Sequence, residues 1–219
     1  LCSSLTLIWL GKKIDDLKLV NYSFLVVIFL SFAALFLSFV NGLIFLVIGI
    51  FFLRLSGQGL MNHTASVAVS RFFDESRGKA LSYTWIGMSL GEFILPMLIV
   101  YFLTFIYWRD LWQIFSIIII LFLPIFSYFT IKNISKFSRE KKNIKHIIKT
   151  KSWTRKEVLK DLKFYSILPA MLASSFIITG IVINQSFIIE SKEWGKFAIA
   201  KSFMVYSIFT VATLFFSGF

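Results

Sequence analysis

Arg54, Gln58, Asn62, His63 and Glu92 stand inside runs that are otherwise apolar or small, and Asn184 and Gln185 stand inside another. The arginine offers a fork of donors that suits a carboxylate, and it equally fits a structural or proton-linked tie to another helix. A histidine can relay a proton or touch a solute, and a glutamate inside a membrane is a candidate for proton coupling. Side-chain amides can contact a solute or join helices. On a helix, Arg54, Gln58 and Asn62 recur every four residues and form one polar ridge. Ser56, Gly59, His63, Ser66 and Ser70 form a second ridge beside it. The spacing from Arg54 to His63 amounts to about 900°, half a turn net at 3.6 residues per turn, so the two do not both point into one cavity. His63 also fits a helix contact with Ser or Asn partners, and Glu92 fits a fixed pairing with a cation elsewhere.

Other chemistry lacks its parts. His63 and His146 are the only histidines and Cys2 the only cysteine, which provides no metal site and no internal disulfide. No His-Glu-x-x-His and no acidic pair at metal spacing occurs, so the chain reads as no enzyme. No cofactor is implied beyond a proton or ion gradient.

The elements that position these residues follow from the solvent. The 219 residues are 58% hydrophobic, with 27 Phe and a mean hydropathy of +0.81. That exceeds what a water-soluble domain can hide. Runs without charge cover Leu19–Val40, Leu111–Ile131 and Phe164–Ile189. Leu43–Val69 and Ala80–Trp108 are interrupted only by Arg54 and Glu92, and a further run goes from Phe197 to Phe219. Each is long enough to span a bilayer core of roughly 20 residues as helix. Lipid leaves backbone amides no partner but each other, so the fold class is all-α, a polytopic transmembrane bundle. Leu1–Leu10 is half a span and reads as the tail of a helix that starts upstream, and Phe219 ends inside a span. No basic segment precedes the first apolar stretch, so it does not read as a signal peptide.

Lys and Arg give the orientation. Loops 11–18, 71–79 and 132–163 hold eighteen of them, and the alternate loops hold four. The first set is therefore cytoplasmic, in a multi-pass protein of the plasma membrane. The net charge of +12 follows topology rather than a patch, which speaks for anionic lipid and against nucleic acid. Sequons at Asn21, Asn62 and Asn133 fall on the cytoplasmic side or within a span, where glycosylation is not expected. Three regions result: residues 1–131 as one helical half, the basic segment 132–163, and residues 164–219 as the start of a second half. Thr154-x-x-Glu157 is a capping box and marks a helix start in the basic segment. Tyr107, Trp108, Trp112 and Trp194 mark the outer interface.

Gly11-Lys-Lys-Ile-Asp15 resembles the start of the loop motif between helices two and three of the major facilitator superfamily. Arg54-Leu-Ser-Gly57-Gln-Gly59 is similar to that family's fourth-helix motif, and Gly87-x-x-x-Gly91 to its fifth-helix motif. Arg71-Phe-Phe with Arg77-Gly78-Lys79-Ala80 looks like the next cytoplasmic turn, and Trp108-Arg109 like the beginning of helix six. Ser174-Ser175-Phe176 through Gln185, then Glu190-Ser-Lys192 and Tyr206, resembles helices seven and eight of bacterial members related to carboxylate carriers. The likeness covers nearly the whole chain, as helices two to eight of two six-helix halves truncated at both ends. It implies a secondary transporter of the bacterial inner membrane, working by alternating access on a small solute, an organic anion such as a carboxylate, by proton coupling or exchange. It implies a monomer, a cytoplasmic gate at Gly11 and Asp15, and a substrate path on the fourth helix. Gly57, Gly59, Gly87 and Gly91 are expected to let helices pack closely. An efflux carrier for drugs or other metabolites, or a non-transporting receptor on the same fold, remains the alternative.

Overall fold

The computed structural model describes residues 2–73, 76–142, 155–195 and 197–218. Its helices in chain order are α1 (Cys2–Asp16), α2 (Leu19–Ser38), α3 (Leu43–Leu53), a π-helical segment (Arg54–Met61), α4 (Asn62–Phe72), α5 (Arg77–Phe102), α6 (Trp108–Lys142), α7 (Arg155–Lys160), α8 (Leu162–Ser191) and α9 (Ala198–Gly218). No strand occurs among the described residues. Among the described residues, five helices, Leu19–Ser38, Leu43–Phe72, Arg77–Phe102, Trp108–Asn133 and Ala198–Phe216, are long and apolar enough to cross a membrane. Helix α8 holds the uncharged run Phe164–Ile189. The chain is a multi-pass helical membrane protein.

Several boundaries differ from those the charges suggest. Residues 11–18 read as a loop, but α1 continues through Lys12 and Lys13 to Asp16. Charged side chains at a helix end reach water and do not stop the helix; Lys18, with an extended backbone, makes the break. The turn of 71–79 is likewise shorter, because Arg71 belongs to α4 and Arg77 to α5. Helix α6 runs ten residues past Lys132, into the basic segment. Thr154 of the capping box lies outside the described residues. Helix α7 begins just after it but breaks at Asp161, whose carboxylate accepts from the Lys163 N–H and so caps α8.

Helix α2 is the centre of the packing. It turns into α3 through Gly42, whose φ of +103° suits a residue without a side chain. Its buried face is largely small, with Ser23, Ser31, Ala33, Ala34 and Ser38. Such a face lets backbones approach where no hydrophobic force between helices exists. Against α6, Ser31 and Ser116 donate reciprocally to each other's carbonyl oxygens at 2.9 Å. Arg109 at the start of α6 donates to Val40 O at 2.9 Å and to Asn41 Oδ1 at 2.7 Å, closing the end of α2. Against α3, Gly49 fits closely: a Cβ there would lie 2.6 Å from Leu37 Cδ2, which would have to shift. Ile14, Tyr22, Val26, Leu55 and Leu60 form the core where α1, α2 and the π-helical segment meet. Helix α5 packs along α9, and α8 touches α9 more lightly. Large apolar side chains such as Phe45, Ile118, Phe122, Phe176 and Phe209 stand exposed. Hydrocarbon solvates such a surface, and water would not.

Candidate functional site

The span Leu43–Phe72 carries four of the residues singled out above, and its backbone changes character among them. From Arg54 to Met61 the bonding is π-helical, i→i+5 in place of i→i+4. Two glycines and a serine make room for this widening. Gly57 lies against Leu30 of α2 and Gly59 against Leu7 of α1, each 3.3 Å from where a Cβ would stand. The Ser56 hydroxyl donates to Phe52 O at 2.7 Å, serving a carbonyl at the start of the change. A π-helix advances fewer degrees per residue than an α-helix, so the register counted at 3.6 residues per turn does not hold across Arg54–Met61.

Arg54 and Gln58 are exposed on this segment, whereas Leu55, Ser56 and Leu60 are buried against α1 and α2. Arg54 begins roughly 16 Å along the span from Leu43 at 1.5 Å per residue, close to mid-membrane depth. Among the described residues neither Arg54 nor Gln58 has a hydrogen-bond or ion-pair partner. Asn62 follows at the first position of α4 and is partly buried.

His63 faces elsewhere. Its Nε2 lies 3.2 Å from Gly11 O on α1, and a Cβ at Gly11 would meet the imidazole at 3.3 Å. One turn further along α1, Asp15 Oδ1 accepts from Arg71 Nη2 at 2.8 Å, and the same nitrogen donates to Ile14 O at 3.1 Å. Tyr22 on α2 donates its hydroxyl to Leu10 O at 3.1 Å. Gly11 and Asp15 are thus held by α4 through two side chains, His63 and Arg71, at the basic end of the bundle. The role of Arg71 was not assigned from the sequence. Its signal was an opposite charge at the same end of a neighbouring helix.

The remaining candidates lie apart from this cluster. Glu92 is partly buried on α5, one turn from the buried Ser89, without a hydrogen-bond or ion-pair partner among the described residues. A Cβ at Gly87 meets nothing within 4 Å, and at Gly91 only Leu95 of the same helix. The close helix contact expected of that glycine pair is therefore not made with any described residue. Asn184 donates to Gly180 O of its own helix at 2.8 Å, and Gln185 donates to Ser202 Oγ at 2.6 Å, tying α8 to α9. Among the described residues no group of His, Cys, Asp or Glu is placed to hold a metal ion.

The family model of the Major Facilitator Superfamily matches residues 1–219. No curated protein and no solved structure matches the chain. A family match over the whole length, an all-helical membrane bundle, and an arginine at mid-span with a charged pair at the basic end agree with one another. The chain belongs to the Major Facilitator Superfamily, a family of membrane transporters.

Proposed function

We propose that the protein is a secondary transporter of the bacterial inner membrane that moves a small organic anion, such as a carboxylate, by alternating access. Arg54 carries this reading. It is a cation near mid-span, on a widened helix segment, exposed and without a protein partner among the described residues. A charge at the bilayer centre costs about 2.5–3.5 kcal/mol on insertion scales, so it belongs against a wet path and not against lipid. Its planar fork matches a carboxylate in two parallel hydrogen bonds. Gln58, exposed four residues on, supplies an amide to the same path.

Asp15, Arg71, Gly11 and His63 form the cytoplasmic gate, and Glu92 is the group through which proton movement is coupled. Orientation follows the basic residues, with the Asp15–Arg71 end in the cytoplasm. The substrate class is tested by a thermal-shift screen of the full-length protein against organic acids, sugars and drugs, because a ligand stabilises the folded form it binds. Organic acids are expected to raise the transition temperature, and a response confined to sugars or drugs defeats the anion reading. Arg54→Lys keeps the charge and loses the fork. An Arg54→Lys carrier with unchanged substrate affinity removes the bidentate role.

A further inference from the structure

Helices α5 and α9 meet along a seam whose middle is polar. Ala200 and Ser207, buried and two turns apart, mark the face that α9 turns to α5. Across the seam Ser89 is the buried residue of α5, and Glu92 follows one turn later on the same side of that helix, half-buried. In a multi-pass chain these two helices run in opposite senses. At 1.5 Å per residue, Glu92 lies about 15 Å from the outer end of α5 at Phe102, and Ser207 about 14 Å from that of α9 at Ala198. The two therefore stand at one level, well inside the membrane.

Ser207 is 1% exposed, and its Oγ has no hydrogen-bond partner. Other hydroxyls of this pair of helices behave differently. Thr84 on α5 and Thr210 and Thr213 on α9 each donate to a carbonyl one turn back on their own helix. A buried donor left unmade is costly, and most buried polar groups find a partner. Glu92 offers the complement, an acceptor without a partner among the described residues, on the helix against which Ser207 is buried.

We infer that Ser207 is a positioning residue for Glu92, its hydroxyl donating to the Glu92 carboxylate once the proton has left. The inference rests on Glu92 as the coupling group. The carboxyl O–H bond breaks, its electron pair stays on the carboxylate, the proton goes to water, and Ser207 keeps its own proton throughout. Side chains one turn apart on a helix stand roughly 5–6 Å from each other, a span that a glutamate can cover. The hydroxyl replaces the water that a carboxylate would lose inside a membrane. Other titratable groups on the helices packed against α5 stand elsewhere. Lys201 is about 9 Å nearer the outer end than Ser207, and Tyr206 is exposed. On α4, His63 lies against Gly11 O and Arg71 is bonded to Asp15. On α5 itself Tyr83 and Tyr101 are each nine residues from Glu92.

The experiment titrates Glu92 directly and needs no substrate. Infrared difference spectra of the full-length protein in liposomes follow the carboxyl stretch against pH, and the band that Glu92→Gln removes belongs to Glu92. A hydroxyl bonded to the carboxylate favours the charged form, so Ser207→Ala keeps the acid protonated to higher pH. Its midpoint is expected to rise by about one pH unit, a tenfold change in proton affinity. Ser207→Thr, which retains the hydroxyl, should keep the midpoint near that of the starting protein. Ser207→Ala should unfold at an unchanged or higher temperature at acid pH, where it removes an unbonded hydroxyl. A Glu92 band with the same midpoint in Ser207→Ala as in the starting protein overturns the inference and leaves the coupling role standing. Absence of any titrating band that Glu92→Gln removes overturns both.

Discussion

Asp15→Asn separates the holding of the gate from the holding of the fold. The Asp15 and Arg71 side chains are 71% and 38% exposed, so water screens their 2.8 Å contact. Exposed pairs of this kind contribute at most about 1 kcal/mol. For a chain of 219 residues such a loss lowers the melting temperature by about 2–4 °C or less. The same 1 kcal/mol applied to an equilibrium between open and closed gates changes their ratio about fivefold. Thiol labelling reads that ratio. In a Cys2→Ser background, Gln58→Cys places a thiol on the exposed face of the π-helical segment, and inside-out vesicles present it to an impermeant maleimide. Asp15→Asn is expected to raise the labelling rate up to about fivefold. Arg71→Gln, which also loses the bond to Ile14 O, should raise it further. The exchange Asp15→Arg with Arg71→Asp should return it towards the starting value. A rate unchanged by both single variants, together with an unchanged melting temperature, would refute the gate role. A large loss of stability with no change in labelling would instead make the pair a structural tie.

Glu92→Gln is expected to flatten the pH dependence of uptake while the protein still reaches the membrane; an unaltered pH profile rules out coupling through this residue, and loss of expression points to a fixed ion pair. Ser31→Ala with Ser116→Ala removes the reciprocal hydrogen bonds between α2 and α6 and should cost about 1–2 kcal/mol in thermal unfolding. A double variant as stable as the starting protein would mean that packing alone joins these helices.

The spans were legible because hydrocarbon imposes a length and forbids charge, so Leu19, Ala198 and Leu162 begin helices within a few residues of where charge ends. Helix ends were less so. Lys12, Lys13 and Arg77 look like loop residues by charge, yet a side chain that reaches water can sit on the first or last turn of a helix. The π-helical segment was not legible at all. Its polar residues fit an α-helical ridge by counting, and only the backbone shows that the count slips between Arg54 and Met61. Pairings between distant residues were also hidden. Asp15 and Arg71, Gly11 and His63, and Ser31 and Ser116 are matched by packing geometry, and nothing in the local sequence of either partner names the other. Gly49 looks like any apolar-run glycine until Leu37 is seen to occupy the place of its missing Cβ.

Helices α2 and α6 are fastened at two levels, by the serine clasp at Ser31 and by Arg109 at Val40 and Asn41. The two levels are roughly 14 Å apart along the helix. A single fastening would leave the pair free to pivot; two of them remove both the pivot and the slide. The stretch between the fastenings then behaves as one stiff beam, and whatever bends during a transport cycle has to be found outside it, with the widened turn at Arg54 and the prolines of α5, α6 and α8 as the compliant points.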